Sequence, residues 1–134
     1  MKPRKKYTPD EVSKLSQKKL DGLIARRVMG WHQHRACWGR TVWMPKGMPD
    51  IPEADLTWSS STNWFNVGEV IGVLLGKGCS VQIDTTLEAG ERFNACMYET
   101  GAGLAICGVE ADTPQRAFAE AAVLVEQENY LCCL

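Results

Sequence analysis

Apolar residues recur along this chain with two different periods, and the switches between them mark out its elements. Thr8-Pro9-Asp10-Glu11 is a helix start. Thr8 can cap, Pro9 suits the first helical position because its missing N–H is no loss there, and Glu11 completes a capping box. Val12 and Leu15 follow, then Leu20, Leu23, Ile24 and Val28. The phase slips between Leu15 and Leu20. That predicts a short helix, a break near Ser16, and a second helix from about Gln17 to Met29 with Gly30 as its C′ residue. Between Trp31 and Ser60 the helical spacing disappears. Trp38 to Met44 has strand-like content, Met44 to Ala54 reads as a loop among Pro45, Pro49 and Pro52, and Leu56 to Ser59 fits another short strand. Ser59-Ser60-Ser61-Thr62-Asn63 is a dense set of N-cap residues. After it, Trp64, Val67, Val70, Ile71, Leu74 and Leu75 form one wide helical stripe, ended by Gly76 and Gly78. Gly68 and Gly72 inside it either weaken the helix or permit close packing on a sheet.

Further on the period drops to two. Cys79 to Thr85 alternates, with Val81 and Ile83 on one face and Gln82 and Asp84 on the other. Arg92 to Tyr98 and Leu104 to Val109 are the next strands, set off by turns at Gly90 and at Gly101 and Gly103. Such short connections predict an antiparallel meander. Thr113-Pro114 opens a last helix by the same cap logic as Thr8-Pro9, with Ala117, Phe118, Ala121, Ala122 and Val125 as its buried stripe. Helices, strands, helix, meander, helix is an α+β order. Its simplest packing is an antiparallel sheet covered by helices on both faces.

A length of 134 residues fits one domain with one core, spanning 1–134, with 1–7 as a flexible basic terminus. The balance of 15 basic against 16 acidic residues leaves no global field towards DNA or a membrane. The charges are unevenly placed, however. Lys2, Arg4, Lys5, Lys6, Lys14, Lys18, Lys19, Arg26 and Arg27 crowd the first part, while acidic residues dominate from Glu88 onward. Asymmetry of this kind marks either an anion-binding face or a frayed terminus with a solvated helix face. No apolar stretch is long enough to span a bilayer, and the basic start lacks the apolar core of a signal peptide, so a cytoplasmic location is expected. None of the six cysteines lies in a C-x-x-C pair, which argues against a zinc ribbon. Cys79, Cys96 and Cys107 fall in apolar runs and read as small hydrophobes, whereas Cys132 and Cys133 are candidates for oxidation.

Reactive constellations are thin. Gly101-Ala102-Gly103 is too short for a phosphate loop and does not open a helix. His32 and His34 share one side of a strand but have no further ligand at metal spacing. Cys37 near His34 is a weak nucleophile pair, and Glu88 with Glu91, like Glu53 with Asp55, reads as solvated. The fuller chemical signal is the set Trp38, Arg40, Trp43, Arg92, Phe93 and Asn94, joined by Arg116 in the first turn of the last helix. Aromatic faces stack on bases, guanidinium forks hold phosphates, and an Asn amide reads a base or ribose edge. The structural alternative is that the tryptophans fill a core and that Arg92 pairs with Glu91 or Glu99.

Leu20-Asp21-Gly22-Leu23-Ile24-Ala25-Arg26-Arg27-Val28-Met29-Gly30-Trp31 resembles the opening of the phage ABA-sandwich domain family. The serine-rich Ser59–Asn63 segment before an apolar helix, and Asp112-Thr113-Pro114-Gln115-Arg116-Ala117 with Ala121, are similar to that family's later helix starts. The likeness runs from about Leu15 to Val125. It implies a phage or prophage origin, a bacterial host cytoplasm, and a sheet between helix layers. In size and class the chain also resembles the Thoeris anti-defence sponges, which sequester cyclic ADP-ribose isomers, and in some cases cyclic oligonucleotides, as homo-oligomers. That resemblance implies a non-enzymatic protein without cofactor or metal, a nucleotide-derived ligand, and a dimer or multiple of dimers. Asn94 and Arg116 would then be ligand residues, with Arg92 and Phe93 nearby. Ile83 or Trp64 would supply stacking, and Arg26 and Arg27 would serve a second, more phosphate-rich ligand. The rivals are a prophage protein that binds a host protein through the tryptophans around Pro45 to Pro52, and a small nucleotide-processing enzyme using Cys37 or His34.

Overall fold

The computed structural model describes residues 5–35, 41–44, 62–86, 92–100 and 105–127. Helix α1 spans Pro9–Ser13 behind a complete capping box. Thr8 Oγ1 accepts the Glu11 N–H at 3.1 Å, and Glu11 Oε1 accepts the Thr8 N–H at 3.1 Å. The break expected near Ser16 is the cap of the next helix, its Oγ accepting the Lys19 N–H at 3.2 Å. Helix α2, Gln17–Leu23, runs directly into a π-helical segment, Ile24–Val28. This departs from the single α-helix the spacing predicts. The Met29 N–H bonds the Ile24 carbonyl at 3.0 Å, and the Trp31 N–H reaches back to Ala25 at 2.9 Å. Gly30, at φ 72°, makes the reversal that ends the helix.

Strands β1 (His32–Arg35) and β2 (Thr41–Met44) form an antiparallel hairpin with His32 opposite Met44. Of the strand expected over Trp38 to Met44, the described part, Thr41–Met44, is β2, and β1 precedes it as a separate strand. The loop expected over Met44 to Ala54 and the strand over Leu56 to Ser59 fall, apart from Met44 itself, outside the described residues. Helix α3 spans Trp64–Gly76, its first turn closed by the Val67 N–H on the Asn63 carbonyl at 3.0 Å.

Strands β3 (Cys79–Thr86), β4 (Arg92–Glu99) and β5 (Ala105–Ala111) form the antiparallel meander, in the order β3-β4-β5. Register sets its faces. Cys79, Val81 and Ile83 lie beside Ala95 and Met97, and these beside Cys107, Val109 and Ala111. All belong to the core or pack against it. The reverse face carries Gln82, Asp84, Asn94, Cys96, Tyr98, Gly108 and Glu110. Helix α4, Pro114–Gln127, packs on β4 and β5, and α3 packs beside it against β3. Behind α4 come α1, α2 and the π-helical segment. Helix α4 is thus enclosed between the sheet and the other helices, and every residue from Ala117 to Glu126 is buried. Its alanines at 117, 119, 121 and 122 explain how neighbours approach from all sides, where a single stripe was expected. Among the described residues the helices share one core on one face of the sheet. No described helix is long and apolar enough to cross a membrane.

Candidate functional site

The start of α4 is built by its own cap. Thr113 Oγ1 accepts the Arg116 N–H at 3.2 Å, and the Thr113 carbonyl accepts the Ala117 N–H at 3.0 Å. Pro114 at the first helical position fixes φ without loss of a donor. Thr62 ties this end to two other helices. Its carbonyl accepts the Gln115 side-chain amide at 3.4 Å, and its hydroxyl accepts the Gln17 amide at 3.2 Å. The amino ends of α2, α3 and α4 therefore meet around a cleft of about 330 Å³. Ser13 and Gln17 line it from the α1–α2 junction and Thr62 from the approach to α3. Glu110 to Thr113 line it from the β5–α4 junction, and Arg92, Arg116 and Glu120 supply further charge.

The two arginines in the cleft differ in how firmly they are held. Arg116 Nε pairs with Glu120 at 2.7 Å, the spacing i, i+4 along α4, and Glu120 is only 3 % exposed. Its second terminal nitrogen donates to the carbonyls of Val12, Ser13 and Leu15 at 3.2, 3.3 and 2.7 Å. Those carbonyls lie at and just beyond the end of α1, so Arg116 braces that end and anchors it to α4. Arg92 instead meets Glu110 at 3.0 Å and Asp112 at 3.6 Å, both on exposed carboxylates. Exposed pairs of this kind contribute only about 0–1 kcal/mol.

Asn94 lies one step along the reverse sheet face from Arg92, opposite Glu110 and Asp84, with its amide donating to Cys96 Sγ at 3.3 Å. Tyr98 continues this row. The Cys96 side chain, hydrogen-bonded to the Tyr98 phenol, pushes its pKa above the usual phenol value. On the core side, burial pushes the Cys79 thiol up. Ile83 and Phe93 fall in register with Ala95 on the core face, so neither shares a side of the sheet with Asn94 and Arg92. Trp64 stands at the start of α3, two residues beyond Thr62, and is 55 % exposed.

Arg26 and Arg27 belong elsewhere. Arg27 donates to the Lys5 carbonyl at 2.8 Å and lies 5.4 Å from the Tyr7 ring centre, so it ties the incoming chain to the π-helical turn. Tyr7 is further held by Gln127, whose side chain bonds both its N–H and its carbonyl. Chain anchoring thus begins inside the stretch expected to be flexible. Arg26 lines a separate recess of about 350 Å³ beside α2.

The structure brings together Arg92 and Arg116 in the cleft, places Asn94 beside Arg92 on the sheet but not among the lining residues, and leaves Ile83, Phe93, Trp64, Arg26 and Arg27 outside that lining. Sequence reasoning missed Gln17, Thr62, Glu110 and Asp112. Only Glu120 carried a local signal, its spacing from Arg116. Among the described residues no group of three potential metal ligands gathers. The Trp38, Arg40 and Cys37 candidates lie outside the described residues. Comparison with protein-family models, with curated proteins and with solved structures finds no match.

Proposed function

We propose that this chain binds a nucleotide-derived anion, a cyclic ADP-ribose isomer or cyclic oligonucleotide, and sequesters it without cleaving it, as a phage anti-defence protein. The observation that carries this reading is the meeting of three helix amino ends around one cleft that also holds Arg92, paired there with exposed carboxylates. Helix amino ends carry partial positive charge, and Arg92 adds a bidentate phosphate donor. A phosphate would exchange with Asp112 and Glu110, leaving the Arg116–Glu120 pair intact. Asn94, beside Arg92, would meet the base or ribose. Trp64 is the exposed aromatic nearest in sequence to the cleft and would supply stacking. The resemblance in size and class to the Thoeris anti-defence sponges implies the same class of ligand, and that of Leu20–Trp31 and Asp112–Ala117 to the ABA-sandwich family implies the fold. The latter also implies a second helical layer over the polar face that bears Gln82, Asp84 and Asn94.

The test is thermal melting with cyclic ADP-ribose isomers and cyclic trinucleotides, followed by boiling and identification of the released nucleotide. Ligand at a hundredfold excess over Kd should stabilise the fold by about 2.7 kcal/mol. It should be released intact, and Arg92→Ala or Asn94→Ala should abolish the shift. Altered nucleotide would instead establish an enzyme.

A partner-binding reading has one specific observation behind it. Trp64 and Leu75 are 55 % and 51 % exposed, and Gly68 and Gly72 lie between them on the same exposed face of α3. An apolar helix face of this kind suits a protein partner, a second subunit of a homo-oligomer included. Sedimentation of wild type and Trp64→Asp with Leu75→Asp separates the cases. A wild-type dimer lost in the variant supports self-association, and a monomer in both leaves the face to a host protein.

A further inference from the structure

We propose that residues Lys5–Leu15 form a strap that detaches from α4 as one unit and takes a wall of the cleft with it. The strap runs antiparallel to α4 and is held at both ends of that helix. At the carboxyl end, the Gln127 side chain accepts the Tyr7 N–H at 3.0 Å and donates to the Tyr7 carbonyl. At the amino end, Arg116 donates to the carbonyls of Val12, Ser13 and Leu15. A further tie runs from Arg27, on the π-helical segment, to the Lys5 carbonyl. Between these ties Tyr7 and Val12 enter the core.

Much of the strap's polar bonding is internal. The Thr8–Glu11 capping box, the Lys5–Glu11 pair at 3.4 Å, the Lys14–Asp10 pair at 2.9 Å and the Ser13 hydroxyl on the Asp10 carbonyl at 2.7 Å all begin and end between residues 5 and 15. Those bonds travel with the strap. Detachment breaks the ties to Gln127, Arg116 and Arg27 and bares Tyr7 and Val12, while the packing of α4 on β4 and β5 lies elsewhere on that helix. A unit of this kind opens at a lower free energy than the whole fold. Once off α4, its five-residue helix is too short to persist in water, so its amides exchange.

The strap bears on the site because it forms part of it. Ser13 lines the cleft, and Tyr7 lines the recess beside α2. Arg116 lines the cleft while it grips the strap, with its Nε on the buried Glu120. Docking therefore completes the cleft and fixes the guanidinium. Release removes the Ser13 wall and returns one terminal nitrogen of Arg116 to water. The strap is thus a switch on the cleft. That role rests on the proposed function, whereas detachment itself does not.

The experiment is native-state hydrogen exchange of the full chain, read by NMR in low urea, for wild type, Gln127→Ala and Arg116→Lys. Melting temperature serves as the control for folding. The Val12, Lys14 and Leu15 amides should share one opening, shallower than that of Ala117–Val125. Gln127→Ala should increase that opening about tenfold, the effect of two lost hydrogen bonds, although Gln127 bonds Tyr7 at the far end of the strap. Arg116→Lys should in turn expose the Tyr7 N–H. The Ala117 N–H, bonded to the Thr113 carbonyl, should keep its protection in wild type and in Gln127→Ala. Three results would overturn the proposal: strap amides that open only with α4, a Gln127→Ala effect confined to Tyr7, or joint opening of the strap and Ala117, which would make the event a fraying of α4. A cyclic ADP-ribose isomer that binds the cleft should slow strap opening, and binding that leaves it unchanged would overturn the switch. Failure of every isomer to bind counts against the proposed function, and the ligand-free exchange still decides the strap.

Discussion

Arg116, a ligand candidate in the sequence, also holds the fold through its Nε and one terminal nitrogen. Its guanidinium meets a buried carboxylate and three carbonyls at the end of α1. Arg116→Ala would leave Glu120 buried without its cation, and urea unfolding should show a loss of about 3–5 kcal/mol. Arg92→Ala, which breaks the exposed pairs with Glu110 and Asp112, should lose far less, about 0.5 kcal/mol, in the same titration. The sequence placed Arg116 correctly in a helix's first turn but could not say where its other donors go, because those carbonyls lie about a hundred residues away. Nor could it show that Ile83 and Phe93 share a face opposite to Asn94 across two strands. That depends on register, which a single strand's alternation does not give. Glu11 offers a titratable test at this scale. The Thr8 backbone N–H, then the nearby Lys5, hold its carboxyl below the usual carboxylate range. A lowered folded pKa means stability that is present above the unfolded pKa and lost as pH falls through the folded one. The gap in unfolding midpoint between wild type and Glu11→Gln should therefore narrow as pH drops below the ordinary carboxylate range.

Element by element, the local signals were strong where a cap or a clean alternation existed. Thr8-Pro9, Ser16 and Thr113-Pro114 all open helices, and the meander follows from alternation broken by glycines. The π-helical turn was not legible, since Ile24 to Val28 carries the same apolar spacing as a continued α-helix and differs only in which carbonyl each N–H selects. The enclosure of α4 was hidden for a related reason. Glu120 and Glu126 fall outside the expected apolar stripe, and only the packed neighbours show them buried. Gly30 gives the element-scale prediction. An added Cβ would meet nothing within 4 Å, so the whole effect of Gly30→Ala lies in the φ of +72°. Left-handed backbone costs a non-glycine residue roughly 1–2 kcal/mol, and thermal unfolding should register a loss of that size.

For the molecule as a whole, α4 is the hub. It touches α1, α2, the π-helical segment, α3 and all three strands of the meander, and Phe118 at its centre is fully buried. Native-state hydrogen exchange should therefore find the Ala117–Val125 amides the slowest to exchange, opening only with global unfolding. Early exchange there, ahead of β4, would show that the helix detaches as a unit. The enclosure of α4 also bears on how the chain is made. Synthesis proceeds from the amino end, so α1 to β5 leave the ribosome before the helix they all pack against exists. Until Gln127 has emerged, the core faces of the sheet and of the first helices have nothing to close on, and they stay open to chaperones. Folding of this domain is thereby deferred until translation has passed its last helix.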